Sequence, residues 1–283
     1  MPLVRALELN EVTPDLRPVY DQIRHSLDIP YVPTIFKVAA GNSAYLREVW
    51  DDLYDVACSK EFHAAAETLA QFVSGRVIST DWQLSNQERL LAAQKFSRAD
   101  VRVMSGVVAT FLRSAPRLAL LARLMQRGYS GGEKGRVTAR RAASPMARMI
   151  TLHVPSESEA SLRAWMVYSE IKRTTGSKHV PSMFRAVSPY PSYLASVWVD
   201  MKKLFADPEF LRARDEVSRR TLSLLHGLPV SDHRTLLDDL TPAQWTEIEQ
   251  MVDSFARLLP QFALGAAVWR RSFATEQNQL MAS

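Results

Sequence analysis

The chain has 283 residues, 47% of them apolar and 23% charged, the make-up of a soluble globular protein with room for one large domain or two. Cys58 is the sole cysteine, which excludes an intrachain disulfide and any Cys₄ or Cys₂His₂ zinc site. The net charge of +5 is concentrated between Gln126 and Ile150, where Arg127, Lys134, Arg136, Arg140, Arg141 and Arg148 are set against Glu133 alone. Such a run reads as a solvated connector, and no helix-turn-helix, RNA-binding or zinc-finger signature argues for nucleic acid.

Glycine is scarce, 10 in 283, while helix formers abound, so the chain is expected to be all-α. Its start has no basic segment followed by an apolar core, and its most apolar stretch, Leu258–Trp269, is interrupted by Pro260 and Gln261 and is shorter than the roughly 18 residues a membrane span needs. The expectation is a cytoplasmic protein with no membrane segment.

In chain order, Leu46, Val49, Trp50, Leu53 and Tyr54 form one apolar stripe at helical spacing, predicting a helix over 46–57. Ser97-Arg-Ala-Asp100 marks a helix start, Ser-Gly-Gly at 130–132 opens the connector, and Ser158–Arg173 reads as the next helix. Thr241-Pro-Ala-Gln supplies an N-cap threonine with proline at the first helical position. These signals recur because the chain is duplicated. A shift of 148 residues matches Tyr20 with Tyr168, Val32-Pro33 with Val180-Pro181, Phe36 with Phe184, Tyr45-Leu46 with Tyr193-Leu194, Val49-Trp50 with Val197-Trp198 and Asp52 with Asp200. Later the shift becomes 144 and places Pro116 on Pro260. The organisation expected is a first repeat over 1–125, a basic linker over 126–157 and a second repeat over 158–283. Two such repeats would form a pseudodimer with a ligand cleft between them.

The histidines are scattered singly, without ligand spacing, and there is no GxGxxG, P-loop or GxSxG, so neither a metal nor a cofactor is expected. Cys58 reads as a packing residue. The chemistry-bearing feature is the pair of Val-Pro-Thr/Ser-x-Phe-Lys/Arg motifs, Val32–Lys37 and Val180–Arg185. Each proline starts a helix after an irregular loop, which puts Thr34 and Ser182 in a first turn able to attract an anion. The plainer reading makes them helix caps and makes Phe36 and Phe184 core. Asp52 and Asp200 follow the two tryptophans by two residues and are expected to point about 200° away from them, toward solvent.

These motifs, Ile29-Pro-Tyr-Val-Pro with Tyr45-Leu46 and Trp50, Val180-Pro-Ser-Met-Phe with Pro191 and Leu194, and Ser-Ala-Pro-Arg-Leu at 114–118, resemble the group I 2-haloacid dehalogenases, the DehI family, over roughly residues 12–270. The resemblance implies an all-α pseudodimer of two fused repeats, knotted in some members, with the active site between the repeats. It implies hydrolysis in which an aspartate activates water to displace halide from the α-carbon without a covalent ester, assisted by an asparagine. In this chain the aspartate's place, before Phe184, holds Met183, and the asparagine's place, before Pro116, holds Ala115. Tyr31 and Thr34 take the places of aromatic pocket residues, and Ser182 matches the family's serine. The candidate substrate-binding set is therefore Tyr31, Thr34, Ala115, Ser182, Met183 and Phe184, with the catalytic residue unassigned, a small organic acid as ligand, and homodimerisation left open. Noncatalytic ligand binding, or docking of a partner on the basic connector, is the alternative.

Overall fold

The computed structural model describes residues 6–8, 11–134, 137 and 152–273. Among them are twelve α-helices and, apart from one isolated β-bridge, no extended pairing. The helices α1 (Arg17–Leu27), α2 (Thr34–Ala39), α3 (Ser43–Ala57), α4 (Lys60–Ile78), α5 (Gln87–Ala93) and α6 (Arg98–Tyr129) are followed in the same order by α7 (Leu162–Thr175), α8 (Ser182–Arg185), α9 (Pro191–Ala206), α10 (Pro208–Ser223), α11 (His233–Leu236) and α12 (Pro242–Arg271). The chain is all-α and internally duplicated.

Local signals place most of these elements. The stripe Leu46, Val49, Trp50 and Leu53 is the buried face of α3. Both long helices begin with reciprocal caps. The Asp100 amide donates to Ser97 Oγ (3.2 Å) while the Ser97 amide donates to Asp100 Oδ2 (2.9 Å). Likewise the Gln244 amide donates to Thr241 Oγ1 (3.3 Å) and the Thr241 amide to Gln244 Oε1 (2.9 Å). Pro116 and Pro260 lie inside α6 and α12, so each half carries the same interruption of its backbone ladder. The helix expected over 158–173 starts later, at Leu162. The Ser156–Glu159 capping box closes only a 3₁₀ turn, Glu157–Glu159, and Ser161 caps α7 by accepting the Ala164 amide (3.3 Å).

The chain divides into two compact units. One comprises Met1–Leu69, Pro116–Leu152 and Ser218–Leu259; the other Ala70–Ala115, His153–Val217 and Pro260–Ser283. Each unit takes segments from both halves of the sequence. The crossings obey the duplication, since Leu69 and Val217 are 148 residues apart and Ala115 and Leu259 are 144 apart. In the first unit Phe36 packs edge-on against Trp50, with centroids 5.4 Å apart; in the second Phe184 does the same to Trp198 at 5.6 Å. Phe184, fully buried, also meets Phe262 and Trp269.

Asp52 and Asp200 do not face solvent as expected. Asp52 accepts the Ser231 amide (3.0 Å) and the Ser231 hydroxyl (2.5 Å), and its Oδ2 lies 3.3 Å from His233 Nε2. In the second unit Asp200 accepts the Ser85 amide at 2.8 Å. Each carboxylate thus clamps the entry to a short helix supplied by the other half of the sequence, α11 or α5. Burial, the largest single influence on Asp52, pushes its pKa up, but the hydrogen bonds from His233 and Ser231 together outweigh it and the net shift is downward. A carboxylate with a lowered folded pKa stabilises the protein above its unfolded value of about 3.9, and that contribution is lost as pH falls through the folded pKa. Asp52→Asn is therefore expected to cost about 1.5–3 kcal/mol at neutral pH. In urea melts the gap between wild type and variant should hold from about pH 7 down to about pH 4 and narrow only below that, as the pH approaches the lowered folded pKa.

Beside this clamp the two units pack differently. In the second, Tyr193 Oη donates to Gln87 Oε1 (2.8 Å), Trp269 Nε1 lies 3.2 Å from the same oxygen, and the Gln87 amide reaches the Ser272 carbonyl (3.0 Å). In the first, the shifts of 148 and 144 put Tyr45, Met125 and Gly128 at the places of Tyr193, Trp269 and Ser272, and His233 takes the place of Gln87, each following by two residues the serine whose amide the aspartate accepts. The His233 ring, fully buried, lies against Gly128 so closely that a Cβ there would stand 2.2 Å from its Cε1.

The connector is anchored at its start. Glu133 and Val230 exchange two backbone hydrogen bonds (2.8 and 3.1 Å), Gly132 has φ +73°, and a Cβ on it would meet the Val230 carbonyl at 2.6 Å. Arg127, expected as part of a solvated run, is instead paired with Glu133 and donates to the Leu225 carbonyl (3.2 Å). Arg136, Arg140, Arg141 and Arg148 lie outside the described residues. No described helix is long and apolar enough to cross a membrane.

Candidate functional site

The two Val-Pro motifs occupy unusual ground. Connecting segments normally run over the surface, yet every residue from Ile29 to Ala40 is buried, and so is every residue from Ser182 to Ser188. Such burial requires that backbone polar groups find partners. In the first unit the Pro30 carbonyl accepts the Leu152 amide (3.1 Å) and the Lys37 carbonyl accepts the Leu7 amide (2.8 Å). In the second the Val180 amide donates to Glu157 Oε1 at 2.7 Å, and Glu157 also pairs with Lys172.

Tyr31 and Thr34 belong to the first unit, Tyr31 in the loop before α2 and Thr34 as the first residue of that helix. Ser182, Met183 and Phe184 form the first three residues of α8 in the second unit, where Ala115 stands on α6 just ahead of Pro116. All six are buried. The prolines, not Thr34 and Ser182, occupy the N-cap positions, and neither helix has a side-chain cap. Thr34 and Ser182 are therefore not the caps of the plainer reading. The helix dipole is equally weak support for an anion here, because α2 has six residues and α8 four.

Charge at these turns comes from side chains instead. Lys37 and Arg185, the last motif residues, are both buried, Arg185 to 1% exposure. Lys37 pairs with Glu8. The Arg185 guanidinium projects its field onto Tyr168 and His179. Burial, the leading influence, raises the Tyr168 phenol and lowers the His179 imidazole, and Arg185 favours the phenolate of the first and the neutral form of the second. This basic residue ends both motifs but is not among the six candidate residues; its recurrence on a duplicated, apolar turn is the signal in the sequence that points to it.

Among the six residues only the Tyr31 phenol is ionisable, and no carboxylate is present to take a proton from water. No group of three or more His, Cys, Asp or Glu able to hold a metal occurs among the described residues. Two hollows elsewhere contain none of the six. One of about 120 Å³ lies in the first unit between α3 and α12, beside Tyr45 and Met251. An open one of about 590 Å³ lies in the second, around Trp82, Asp200 and Lys203.

The model of the family described as halocarboxylic acid dehydrogenase DehI matches residues 30–184 and again 178–282. Among characterised proteins, the chain is 21% identical to an (R)-2-haloacid dehalogenase of Pseudomonas putida, covering 95% of this chain and 92% of that one. It is 18% identical to an (R)-2-haloacid dehalogenase of Rhizobium sp. (strain NHG3), covering 81% and 90%. Among solved structures, a D-2-haloacid dehalogenase mutant in complex with D-2-CPA and a D-2-haloacid dehalogenase in complex with L-LA each superpose with a TM-score of 0.86 over 96% of both chains, at 21% identity.

Proposed function

We propose, since this chain belongs to the DehI family, that it is a 2-haloacid dehalogenase-like protein acting on a small organic acid as a divergent hydrolase or substitution enzyme, and not a standard 2-haloacid dehalogenase. The observation that supports this reading is that Met183, which the family resemblance sets at the aspartate's place, is a buried thioether on the first turn of α8. Ala115, which the same resemblance sets at the asparagine's place, removes the second polar group in this proposal. Loss of a general base typically costs 10²–10⁴ in rate, and neither a thioether nor a methyl group replaces it. Tyr31, Thr34, Ser182 and Phe184 remain as binding residues in this proposal, with Arg185 as the nearby positive charge that favours a carboxylate. The repeats 1–125 and 158–283, joined by 126–157, are its architectural frame.

A second reading, noncatalytic binding of a small acid, is favoured by the apolar character of both replaced positions. The experiment that separates the two measures halide release from both enantiomers of 2-chloro- and 2-bromopropionate in ¹⁸O water, beside calorimetric titration with the same acids. Halide release with ¹⁸O in the hydroxy acid establishes catalysis by another base. Heat of binding without halide supports the binding protein for these acids. Neither halide nor heat overturns the organic-acid assignment for this substrate class.

A further inference from the structure

From Leu258 to Trp269 helix α12 is buried on every side, and Gln261 is the one carboxamide in that stretch. Only 6% of its surface is exposed. Among the described residues its amide meets no hydrogen-bond partner, and neither of its polar atoms counts among those sealed from water. A carboxamide brings two donors and an acceptor oxygen, and burying it without bonds is unfavourable.

The duplication shows what this position does when it serves the fold. A shift of 144 places Arg117 on Gln261, and Arg117 donates to the Leu27 carbonyl (2.7 Å) at the end of α1. In the second unit α7 stands in the place of α1 and closes its own end. There Gly176, with φ +67°, donates its amide to the Lys172 carbonyl (2.9 Å). Gln261 is thereby free of the duty that its counterpart performs.

Its surroundings are those of the candidate residues. At 100° per residue, Gln261, Gly265 and Trp269 fall within about 80° of one another on one side of α12. That side meets α8 and α9. A Cβ on Gly265 would stand 3.2 Å from the Phe205 ring, and Trp269 stacks on Phe184 with centroids 6.3 Å apart. Phe262, next to Gln261, meets the same Phe184 at 6.4 Å. Phe184 follows Met183 on the first turn of α8, and Ala115, Ser182 and Met183 belong to the same compact unit as Gln261.

We infer, on the acid-binding reading proposed above, that Gln261 is the residue whose side-chain N–H donates to the carboxylate of the small organic acid. Donation to a carboxylate oxygen is charge-assisted and stronger than a bond between neutral groups. It satisfies in the complex a donor that the free protein leaves unmet. Removing the amide therefore acts oppositely on the two states: the free protein sheds an unmet polar group, while the complex loses its bond. A glutamine that only held the fold would instead weaken the free protein when replaced.

Calorimetric titration of the full chain with propionate and both enantiomers of 2-chloropropionate, beside thermal melts without added acid, tests this. Gln261→Met keeps the length of the side chain and removes its donors. It is expected to raise the dissociation constant at least tenfold while the melting temperature stays level or rises. The loss should be smaller for 2-chloropropionamide, which has no negative charge to strengthen the bond. Unchanged affinity in Gln261→Met, a lowered melting temperature, or equal losses for acid and amide each overturns the inference and leaves the acid-binding reading standing. A wild type that binds none of the three acids overturns both.

Discussion

If positions 183 and 115 take the catalytic places proposed for them, Met183→Asp with Ala115→Asn is expected to raise halide release from 2-halopropionates by at least 10²-fold over the wild-type chain. The size follows from what a positioned general base contributes, 10²–10⁴ in rate, if the rest of the pocket still seats the acid. Position 183 is buried, so the introduced carboxyl will resist ionisation and its pKa will rise. Activity should therefore climb with pH through a midpoint above the usual carboxylate range. Arg185, two residues on and buried in the same turn, moderates that rise by favouring the charged form. The gain should require Asp specifically: Met183→Asn, similar in size and unable to take a proton, should leave release at the wild-type level. Equal rates in the Asp and Asn variants, both folded by circular dichroism, would remove Met183 as the explanation of what this chain lacks.

The second large effect concerns stability. Gly128→Ser should destabilise the chain by about 3 kcal/mol, the upper part of the usual range for overpacking, and lower the melting temperature by roughly 6–10 °C. The cause is steric. A Cβ at 128 would lie 2.2 to 2.6 Å from three atoms of the His233 ring, which is fully buried and held toward Asp52 by a 3.3 Å contact. The other half of the chain shows how the same corner accommodates a serine, since Ser272 stands opposite Gln87, a slimmer side chain, and accepts the Leu84 amide on its hydroxyl (3.0 Å). Gly128→Ser combined with His233→Gln should recover at least half of the loss. A double variant as unstable as Gly128→Ser would mean that the clash is with something other than the imidazole.

The duplication is what made the sequence legible. Matching residues at a constant shift required only that two halves diverged slowly at Tyr20, Trp50 and Phe36 and their counterparts, all of them core positions where packing resists change. Helix beginnings at Ser97 and Thr241 could be read because capping is settled by neighbours three residues apart. The start of α7 is less legible: the sequence reading begins this helix at Ser158, whereas Glu157–Glu159 is a separate 3₁₀ turn and α7 begins at Leu162 behind the Ser161 cap, a boundary that periodicity alone does not set.

Part of the candidate site was readable in the same way. Val-Pro at 32–33 and 180–181 does start a helix after a loop, because proline's fixed φ acts on the spot. That these loops are wholly buried was not readable, since burial of irregular backbone depends on distant partners such as Leu152 for Pro30. Nor was the work of Asp52 and Asp200. Helical geometry sends each away from its tryptophan, as expected, but what it meets there is a serine 179 or 115 residues distant in the chain.

The sequence by itself determined the helical class, the two repeats, the helix starts and the chemical character of the motif residues, including the absence of a carboxylate at Met183. Those properties are set by composition, periodicity and contacts within a few residues. Only the tertiary structure decided that each compact unit would draw on both halves, crossing within α4, α6, α10 and α12. It also decided that Asp52 and Asp200 would hold the exchanged segments, and that α7 would leave Leu162, Trp165 and Met166 exposed. These depend on which surfaces meet across more than a hundred residues, and no local pattern records that choice.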